Sequence, residues 1–300
     1  MSRISPRPFV PISHSTPRLR PAPRRDPPPR AQPLGTAGIA AFGWAVCRLL
    51  DWPAAPWLPL WFCAALVIYN ADRLQPDPAD PINLPLRAAA SLRWRPLSRL
   101  ICAGAALFLL GWPILQRDWL TLALILAGSF VCLGYSVPFL GFRWKDVTLL
   151  KTLFAPTIVT GAILGLPWMH LGPATDFPTL AITGLRAWTF LLFNMLLCDL
   201  RDLPGDHASG VRSLPVLLGE KRTRQLLFGL LLVIEALALL AIGQAPPHHT
   251  RAWLALSLVA PLYLGALLIA ARRPRSERFY EWWVEGMLFL PAAVLTALPV

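Results

Sequence analysis

The chain has 300 residues, of which 55% are hydrophobic and 15% are charged, and its mean hydropathy is +0.52. This composition excludes an ordinary soluble domain and is typical of integral membrane proteins. Thirteen Trp agree with that class, because amphipathic aromatic side chains collect at the boundary between bilayer and water. The formal net charge of +12 would also suit nucleic-acid binding, and its distribution along the chain decides between the two.

Residues 1–33 hold ten Pro and seven Arg and almost no large apolar side chain. Such a segment cannot bury enough surface to offset the entropy lost on ordering, so we predict a disordered cytoplasmic arm. The Arg- and Ser-rich, acid-poor composition also suits an organelle transit peptide, which leaves an organelle membrane as the alternative to the cytoplasmic membrane.

From residue 34 to residue 300, apolar segments alternate with polar loops. A helix of about 20 residues crosses the roughly 30 Å of hydrocarbon in a bilayer, and at this length only helices satisfy their own backbone in lipid. The sequence therefore predicts an all-α, polytopic membrane domain over 34–300 with nine transmembrane helices. The nine segments are 34–50, 56–71, 98–115, 119–135, 147–169, 179–199, 223–243, 251–271 and 284–300.

The basic residues fall almost entirely on one side of this predicted topology. With the arm in the cytoplasm, 24 of the 28 Lys and Arg are cytoplasmic, and only Arg117 and Arg251 lie in loops on the opposite side. This is the positive-inside asymmetry of a multi-pass membrane protein. No zinc-ligand spacing and no alternation of aromatic and basic residues accompanies the charge, so membrane lipids and not nucleic acid are the expected partner.

Two acidic loops lie on the predicted cytoplasmic side. The first follows the second segment and contains Asp72, Asp77 and Asp80; the second follows the sixth segment and contains Asp199, Asp202 and Asp206. The spacing i, i+3, i+7 in the second loop puts all three carboxylates on one face, provided that the helix continues through Pro204 and Gly205. The simplest reading is that acids at a helix exit are ordinary solvated charges.

Two carboxylate clusters mixed with cations also suit a specific chemistry. Carboxylates bind Mg²⁺ through a few oxygens, and phosphate oxygens complete its octahedral shell. Neighbouring Arg and Lys neutralise the remaining phosphate charge. Beside an apolar cavity, this arrangement suits a diphosphate on a lipid tail and the loss of that diphosphate from an allylic carbon.

The second loop resembles a motif of a known family. The stretch Asp202-Leu-Pro-Gly-Asp206, followed by Gly210-Val-Arg212-Ser213, is similar to the second aspartate motif of the UbiA superfamily of intramembrane prenyltransferases, and "LGYSVP" is similar to that family's Tyr-Ser-x-Pro segment. The resemblance covers about 34–300. It implies nine helices, two cytoplasmic Asp loops, and Mg²⁺-dependent transfer of a prenyl group from an isoprenyl diphosphate to an aromatic or other lipophilic acceptor.

The first loop departs from the family pattern, NDxxDxxxD followed by Asn-x-Pro-x-Arg-Pro. If Asn83-Leu-Pro85-Leu-Arg87 is taken as the second part, Asp80 stands at the third Asp position and Asp72 stands where Asn is expected. Asp77 comes one residue after the middle position. The departure supports an alternative, a non-catalytic UbiA-fold homologue that acts as a lipid-binding or scaffold membrane protein. Few deep charges and no detected repeat argue against a transporter.

The resemblance and the placement of the charges give a set of candidate binding residues. They do not assign a separate catalytic residue. The expected metal ligands are Asp72, Asp77, Asp80, Asp202 and Asp206, with Asp199 as an additional acid. The expected diphosphate-binding residues are Arg212, Lys145, Lys151, Arg143, Arg87 and Arg201. The expected substrate-cavity residues are Asn70, Asn194 and Tyr135. His248 and His249, on the opposite side, are interpreted as solvated loop residues, with a metal-binding pair as the alternative.

Overall fold

The computed structural model describes residues 31–74, 79–136, 144, 147–172 and 175–298. Within these residues the chain is helical and contains no β-strand, as predicted. The helices are α1 (Ala31–Leu49), α2 (Leu58–Leu74), α3 (Asp80–Asn83), α4 (Pro85–Arg93), α5 (Arg95–Gln116), α6 (Trp119–Ser136), α7 (Thr148–Leu171), α8 (Phe177–Ala208), α9 (Leu214–Gln244), α10 (Pro247–Ala270), α11 (Glu277–Phe279) and α12 (Leu290–Thr296). A π-helical turn (Tyr280–Val284) and a 3₁₀ turn (Glu285–Phe289) connect α11 to α12.

Three features differ from the predicted segments. The first acidic loop contains two short helices, α3 and α4, each with a proline in its first turn, where the fixed φ of proline favours helix initiation. The helix α8 continues nine residues beyond the predicted end at residue 199. The helix α1 begins at Ala31, and residues 1–30 of the predicted arm lie outside the described part of the chain.

Five of the described helices are long and apolar enough to cross a membrane. They are Arg95–Gln116, Leu149–Leu171, Phe177–Ala208, Leu214–Gln244 and Pro247–Ala270. Three shorter helices are also apolar: Leu34–Leu49, Leu58–Ala71 and Trp119–Tyr135. The ninth predicted segment corresponds to the C-terminal series of short turns. The structure therefore supports a helical membrane domain, and the count of nine spans stays a prediction.

The helix α8 lies at the centre of the bundle and is the most buried of the candidate spans. Phe190, Phe193, Leu196 and Leu197 of α8 are fully buried in the main apolar core. On peripheral helices, side chains such as Leu115 remain exposed, and lipid tails are the medium that suits them.

The loops gather at two ends of the bundle. We call one the acidic end, where α3 and the last turns of α8 meet: Asn83 contacts Gly205 there. At the other, which we call the opposite end, Trp52 of the α1–α2 loop donates a hydrogen bond from Nε1 to Thr175 Oγ1, just before α8 (2.9 Å). The two acidic loops thus come together in space, although more than 100 residues separate them in sequence.

Candidate active site

The acidic end is built on the unbroken last turns of α8. Pro204 has no N–H to donate within the helix, and the N–H of Gly205 donates instead to Asn83 Oδ1 at 2.7 Å. A Cβ on Gly205 would lie 2.5 Å from the side-chain amide of Asn83, closer than packed atoms allow. Pro204 and Gly205 therefore leave α8 intact and create a docking point for α3.

This docking brings part of the first acidic loop to the second. Asp80 begins α3, whose last residue is Asn83, so the helix that carries Asp80 packs against α8. Asp72 belongs to the last turn of α2, but its side chain is not among the described ones, and Asp77 lies outside the described residues. Metal binding by Asp72 and Asp77 stays a prediction.

Two of the three α8 carboxylates face the start of α7. Asp199 and Asp206 are both buried; Asp199 Oδ2 accepts a hydrogen bond from Thr152 Oγ1 at 3.2 Å, and Asp206 Oδ2 lies 2.8 Å from Lys151 Nζ. The helical spacing i, i+7 explains why both carboxylates reach the same neighbouring helix. Lys151 interacts electrostatically with Asp199, Asp202 and Asp206, so these four residues form one charge cluster.

Asp202 has a different cation. The guanidinium of Arg201 donates two hydrogen bonds to its carboxylate, Nε to Oδ1 at 2.7 Å and Nη2 to Oδ2 at 2.8 Å. Such two-point pairs fix the geometry as well as the charge. The same guanidinium lies over the ring of Tyr280, 5.4 Å from its centroid, and its Nη1 is buried with no hydrogen-bond partner among the described residues. The Nη1 group of Arg201 is therefore available as a hydrogen-bond donor beside the aspartate cluster.

A further acid, Glu285, belongs to this region. Glu285 is only 6% exposed, and its Oε1 lies 3.7 Å from Nη1 of Arg87. The backbone N–H groups of Leu86 and Arg87 both donate to Glu277, which ties α4 to the C-terminal segment. The sequence shows an acid in the last apolar segment, but it gives no sign of the partner, which lies almost 200 residues away.

The turn after α8 brings Arg212 to the end of the site. Gly210 has φ +70°, a left-handed conformation that glycine adopts at no steric cost, and Val211 N–H donates to the carbonyl of Asp206 at 2.9 Å. The turn leaves Arg212 exposed and buries Ser213 at the start of α9. Arg143 and Lys145 lie outside the described residues, so their predicted contact with diphosphate stays a prediction.

The three predicted cavity residues have separate surroundings. Asn70 is buried, its Nδ2 donates to Leu66 O at 2.7 Å, and its Oδ1 has no partner among the described residues. Asn194 donates to Val284 O at 2.6 Å, which ties α8 to the π-helical turn. Tyr135 stacks on Phe154 with the ring centroids 4.1 Å apart. A role for these residues in one cavity stays a prediction.

A groove of about 690 Å³ is formed by the segment between α10 and the 3₁₀ turn. It contains none of the predicted site residues. Its lining residues are Pro274, Arg275, Ser276, Arg278, Phe279, Trp282 and Trp283.

Comparison with known proteins connects this geometry to a family. The model of the UbiA prenyltransferase family matches residues 78–289. A 1,4-dihydroxy-2-naphthoate octaprenyltransferase of Mycobacterium tuberculosis (strain ATCC 25618 / H37Rv) is 30% identical over 260 residues, which cover 79% of this chain and 82% of that protein. The diterpene cyclase eriG of Hericium erinaceus is 28% identical over 216 residues, which cover 68% of this chain and 67% of that protein. No solved structure matches the chain significantly.

The matched range begins in the first acidic loop and ends in the 3₁₀ turn, so it includes α3, the whole of α8 and Glu285. It covers well over half of the chain, and the described helices have the length and apolar composition of membrane spans. The chain therefore belongs to the UbiA prenyltransferase family of membrane proteins.

Proposed function

We propose that this protein transfers a prenyl group from an isoprenyl diphosphate to an aromatic or other lipophilic acceptor within the membrane, in a Mg²⁺-dependent reaction. The observation that carries the proposal is the charge cluster at the acidic end, in which Asp199, Asp202 and Asp206 lie with Lys151 and Arg201 on contiguous turns of α7 and α8. Family membership and the similarity to a named octaprenyltransferase support the same reaction class.

The residues present fit a magnesium ion. Carboxylate oxygens are ligands that Mg²⁺ prefers, and the positions next to Asp202 and Asp206 already hold positive charge, from Arg201 and Lys151. Asp202 and Asp206 would hold one ion, with Asp199 beside them, and Asp72, Asp77 and Asp80 of the first loop would hold a second. Bound Mg²⁺ would supply neutralising charge to the diphosphate as it leaves.

The cations of the cluster would bind the diphosphate. Lys151 and Arg201 each donate to a carboxylate, and phosphate oxygens are alternative acceptors that are also negatively charged. Arg212 is exposed at the following turn, and Arg87, Arg143 and Lys145 are the remaining candidates. The C–O bond breaks with its electron pair on the diphosphate, the acceptor forms the new bond to the allylic carbon, and the acceptor then loses a proton. The surrounding apolar helices keep water from the allylic carbon.

Nine membrane spans would consist of α1, α2, α5 to α10 and the C-terminal segment from α11 to α12. Hydrogen bonds at each end of the bundle join loops that this topology places on the same side of the membrane, and they therefore support it. Reporter fusions after Val300 and in the loop near Ser91 should give opposite signals. Matching signals would contradict both the nine spans and the positive-inside orientation.

The reaction is tested with purified protein in liposomes, labelled isoprenyl diphosphates of several lengths, and a panel of acceptors that includes 1,4-dihydroxy-2-naphthoate. We expect a prenylated acceptor that forms only with Mg²⁺, and a loss of roughly a thousandfold for Asp206→Asn. Asp176→Asn is the matched control, because Asp176 caps the other end of α8 and is exposed. A cyclised hydrocarbon formed without acceptor would favour a cyclase, and no Mg²⁺-dependent binding or turnover would favour the non-catalytic homologue.

A further inference from the structure

At the opposite end, two distant parts of the chain present three metal-binding side chains to one another. Asp51 follows α1, and His248 and His249 lie in the first turn of α10, 198 residues further along in the case of His249. We propose that Asp51, His248 and His249 form a binding site for a divalent transition-metal ion such as Zn²⁺. The site is separate from the acidic end and does not depend on the proposed transferase reaction.

The distances between the ligand atoms suit one ion. Asp51 Oδ2 lies 2.8 Å from His249 Nε2 and 3.3 Å from His248 Nε2, and each of the three residues has a ligand atom within 4.8 Å of one on each of the other two. In a tetrahedral zinc site with bonds of about 2.0 Å, ligand atoms are roughly 3.3 Å apart. Small rotations of the side chains therefore accommodate an ion between the three atoms. Among the described residues, no other group of three such side chains meets this criterion.

The type of ligand selects the class of metal. Two imidazole nitrogens and one carboxylate oxygen suit Zn²⁺, Cu²⁺ or Ni²⁺, whereas Mg²⁺ prefers oxygen ligands only. Three protein ligands leave the fourth tetrahedral position to water. This separates the site chemically from the all-carboxylate cluster at the acidic end.

The backbone holds the three ligands in place before an ion arrives. Asp51 has φ +56°, a left-handed conformation that is uncommon outside glycine and that Asp tolerates better than most residues. The turn is fixed because the N–H groups of Leu50 and Trp52 both donate to the carbonyl of Cys47. His249 N–H in turn donates to Pro246 O at 2.9 Å.

Burial and charge also suit an ion-binding role. The side chain of His249 is 4% exposed, whereas those of Asp51 and His248 are more than half exposed, so an ion has a fixed inner ligand and an open approach from water. A simple ion pair would need only one imidazole, but here two imidazoles share a single carboxylate oxygen.

Metal binding here would join the α1–α2 loop to the start of α10. Because an ion that binds the folded state and not the unfolded state stabilises the fold, the melting temperature would rise with the ion concentration. The readout is therefore independent of enzyme activity.

The test uses full-length protein purified without a histidine tag and stripped with EDTA. Calorimetric titration with Zn²⁺ should show one bound equivalent. In a thermal melt, Zn²⁺ should raise the melting temperature by several degrees, while Mg²⁺ should not. The double variant H248A/H249A should lose this binding. Asp51→Asn, a conservative change at an exposed position, should weaken it by roughly a hundredfold or more, since even outer-shell changes cost about 10–100-fold.

Two control variants separate this site from the rest of the protein. His170→Ala removes a histidine at the same end that pairs with a single carboxylate, Asp118, and it should bind Zn²⁺ like the parent. Asp202→Asn should also leave Zn²⁺ binding unchanged. Absence of Zn²⁺ binding in the parent, unchanged binding in both H248A/H249A and Asp51→Asn, or loss of binding only in Asp202→Asn would each overturn the proposal.

Discussion

The two ends of the helical bundle use charge in different ways. At the acidic end, carboxylates pair with permanently charged groups: Lys151 with Asp206, and Arg201 with Asp202. At the opposite end, the contacts between loops are made by neutral hydroxyl and indole groups and by histidines, as in the hydrogen bond between Trp52 and Thr175. Strong charge pairs can exchange one partner for a charged ligand, whereas a neutral hydrogen bond such as that between Trp52 and Thr175 joins two loops and offers no such exchange.

This difference predicts different consequences of similar substitutions. Changes at the acidic end should alter ligand binding and turnover more than stability, because the side chains there are expected to contact the metal ion and the diphosphate. Changes at the opposite end should alter stability and leave turnover intact. The substitutions below test this comparison, beginning with the largest expected effect.

Asp202→Ala should have the largest effect. Loss of one metal-binding carboxylate should lower turnover by roughly a thousandfold, or about 4 kcal/mol, and should abolish Mg²⁺-dependent binding of isoprenyl diphosphate. The melting temperature should also fall, but by less than turnover, because Arg201, whose side chain is 10% exposed, loses the carboxylate that accepts two of its hydrogen bonds. Radiolabelled diphosphate binding and a thermal melt measure the two quantities. A variant that binds the diphosphate like the parent would show that Asp202 does not hold a metal ion against the diphosphate, and would favour the non-catalytic homologue.

Lys151→Met should lower both turnover and stability. It leaves Asp206, which is 3% exposed, without its cation, and breaking a buried ion pair in this way costs about 3 kcal/mol. The charge-swapped protein Lys151→Asp/Asp206→Lys should regain most of that stability. It should not regain turnover, because the carboxylate and the cation have exchanged positions relative to the other ligands. Recovery of both would indicate that the pair has only a structural role.

Gly205→Ala should undock α3 from α8. The added Cβ would lie 2.5 Å from the Asn83 amide, and loss of the hydrogen bond costs about 1–2 kcal/mol. In an Asn83→Ala background the same change should cost much less, because the clash is gone. The coupling energy of this double-mutant cycle, measured by chemical unfolding, would be close to zero if α3 does not dock as described.

Asp118→Asn should have the smallest effect. Partial burial acts to raise the pKa of Asp118, but hydrogen bonds from Thr121 and His170 outweigh it and hold the pKa below the ordinary value of 3.8. A lowered pKa contributes stability that is complete above the ordinary value and is lost as the pH falls through the folded value. The contribution is at most about 1 kcal/mol because the pair is partly exposed.

The measurement for Asp118 is unfolding stability between pH 6 and pH 3, compared with Asp118→Asn. The two proteins should converge at the acid limit, and turnover at neutral pH should be equal. A large loss of turnover would contradict the division between the ends.

The sequence allowed prediction of features that depend on local pattern. Apolar segments of membrane length correspond to helices. The spacing of Asp199, Asp202 and Asp206 predicted a shared face, but that prediction required α8 to continue through Pro204. In the structure α8 does continue, and Asn83 from another loop accepts a hydrogen bond from Gly205 N–H, a contact of which the sequence gives no sign. The contact of Glu285 with Arg87 likewise depends on tertiary packing, which leaves no periodic signal in the sequence.

The length of α8 has a consequence for the depth at which a substrate would be met. At about 1.5 Å per residue, Asp199 lies roughly 33 Å along the helix from Phe177, and Asp206 lies roughly 43 Å along it. The hydrocarbon layer is about 30 Å thick, and the polar headgroups extend the bilayer to about 40–45 Å. If α8 stands close to the bilayer normal and Phe177 lies at one edge of the hydrocarbon, Asp199 lies just beyond the opposite edge and Asp206 lies at or beyond the outer limit of the headgroups. A lipid with a charged head and an apolar tail would then reach them by lateral diffusion within its own leaflet, without leaving the bilayer.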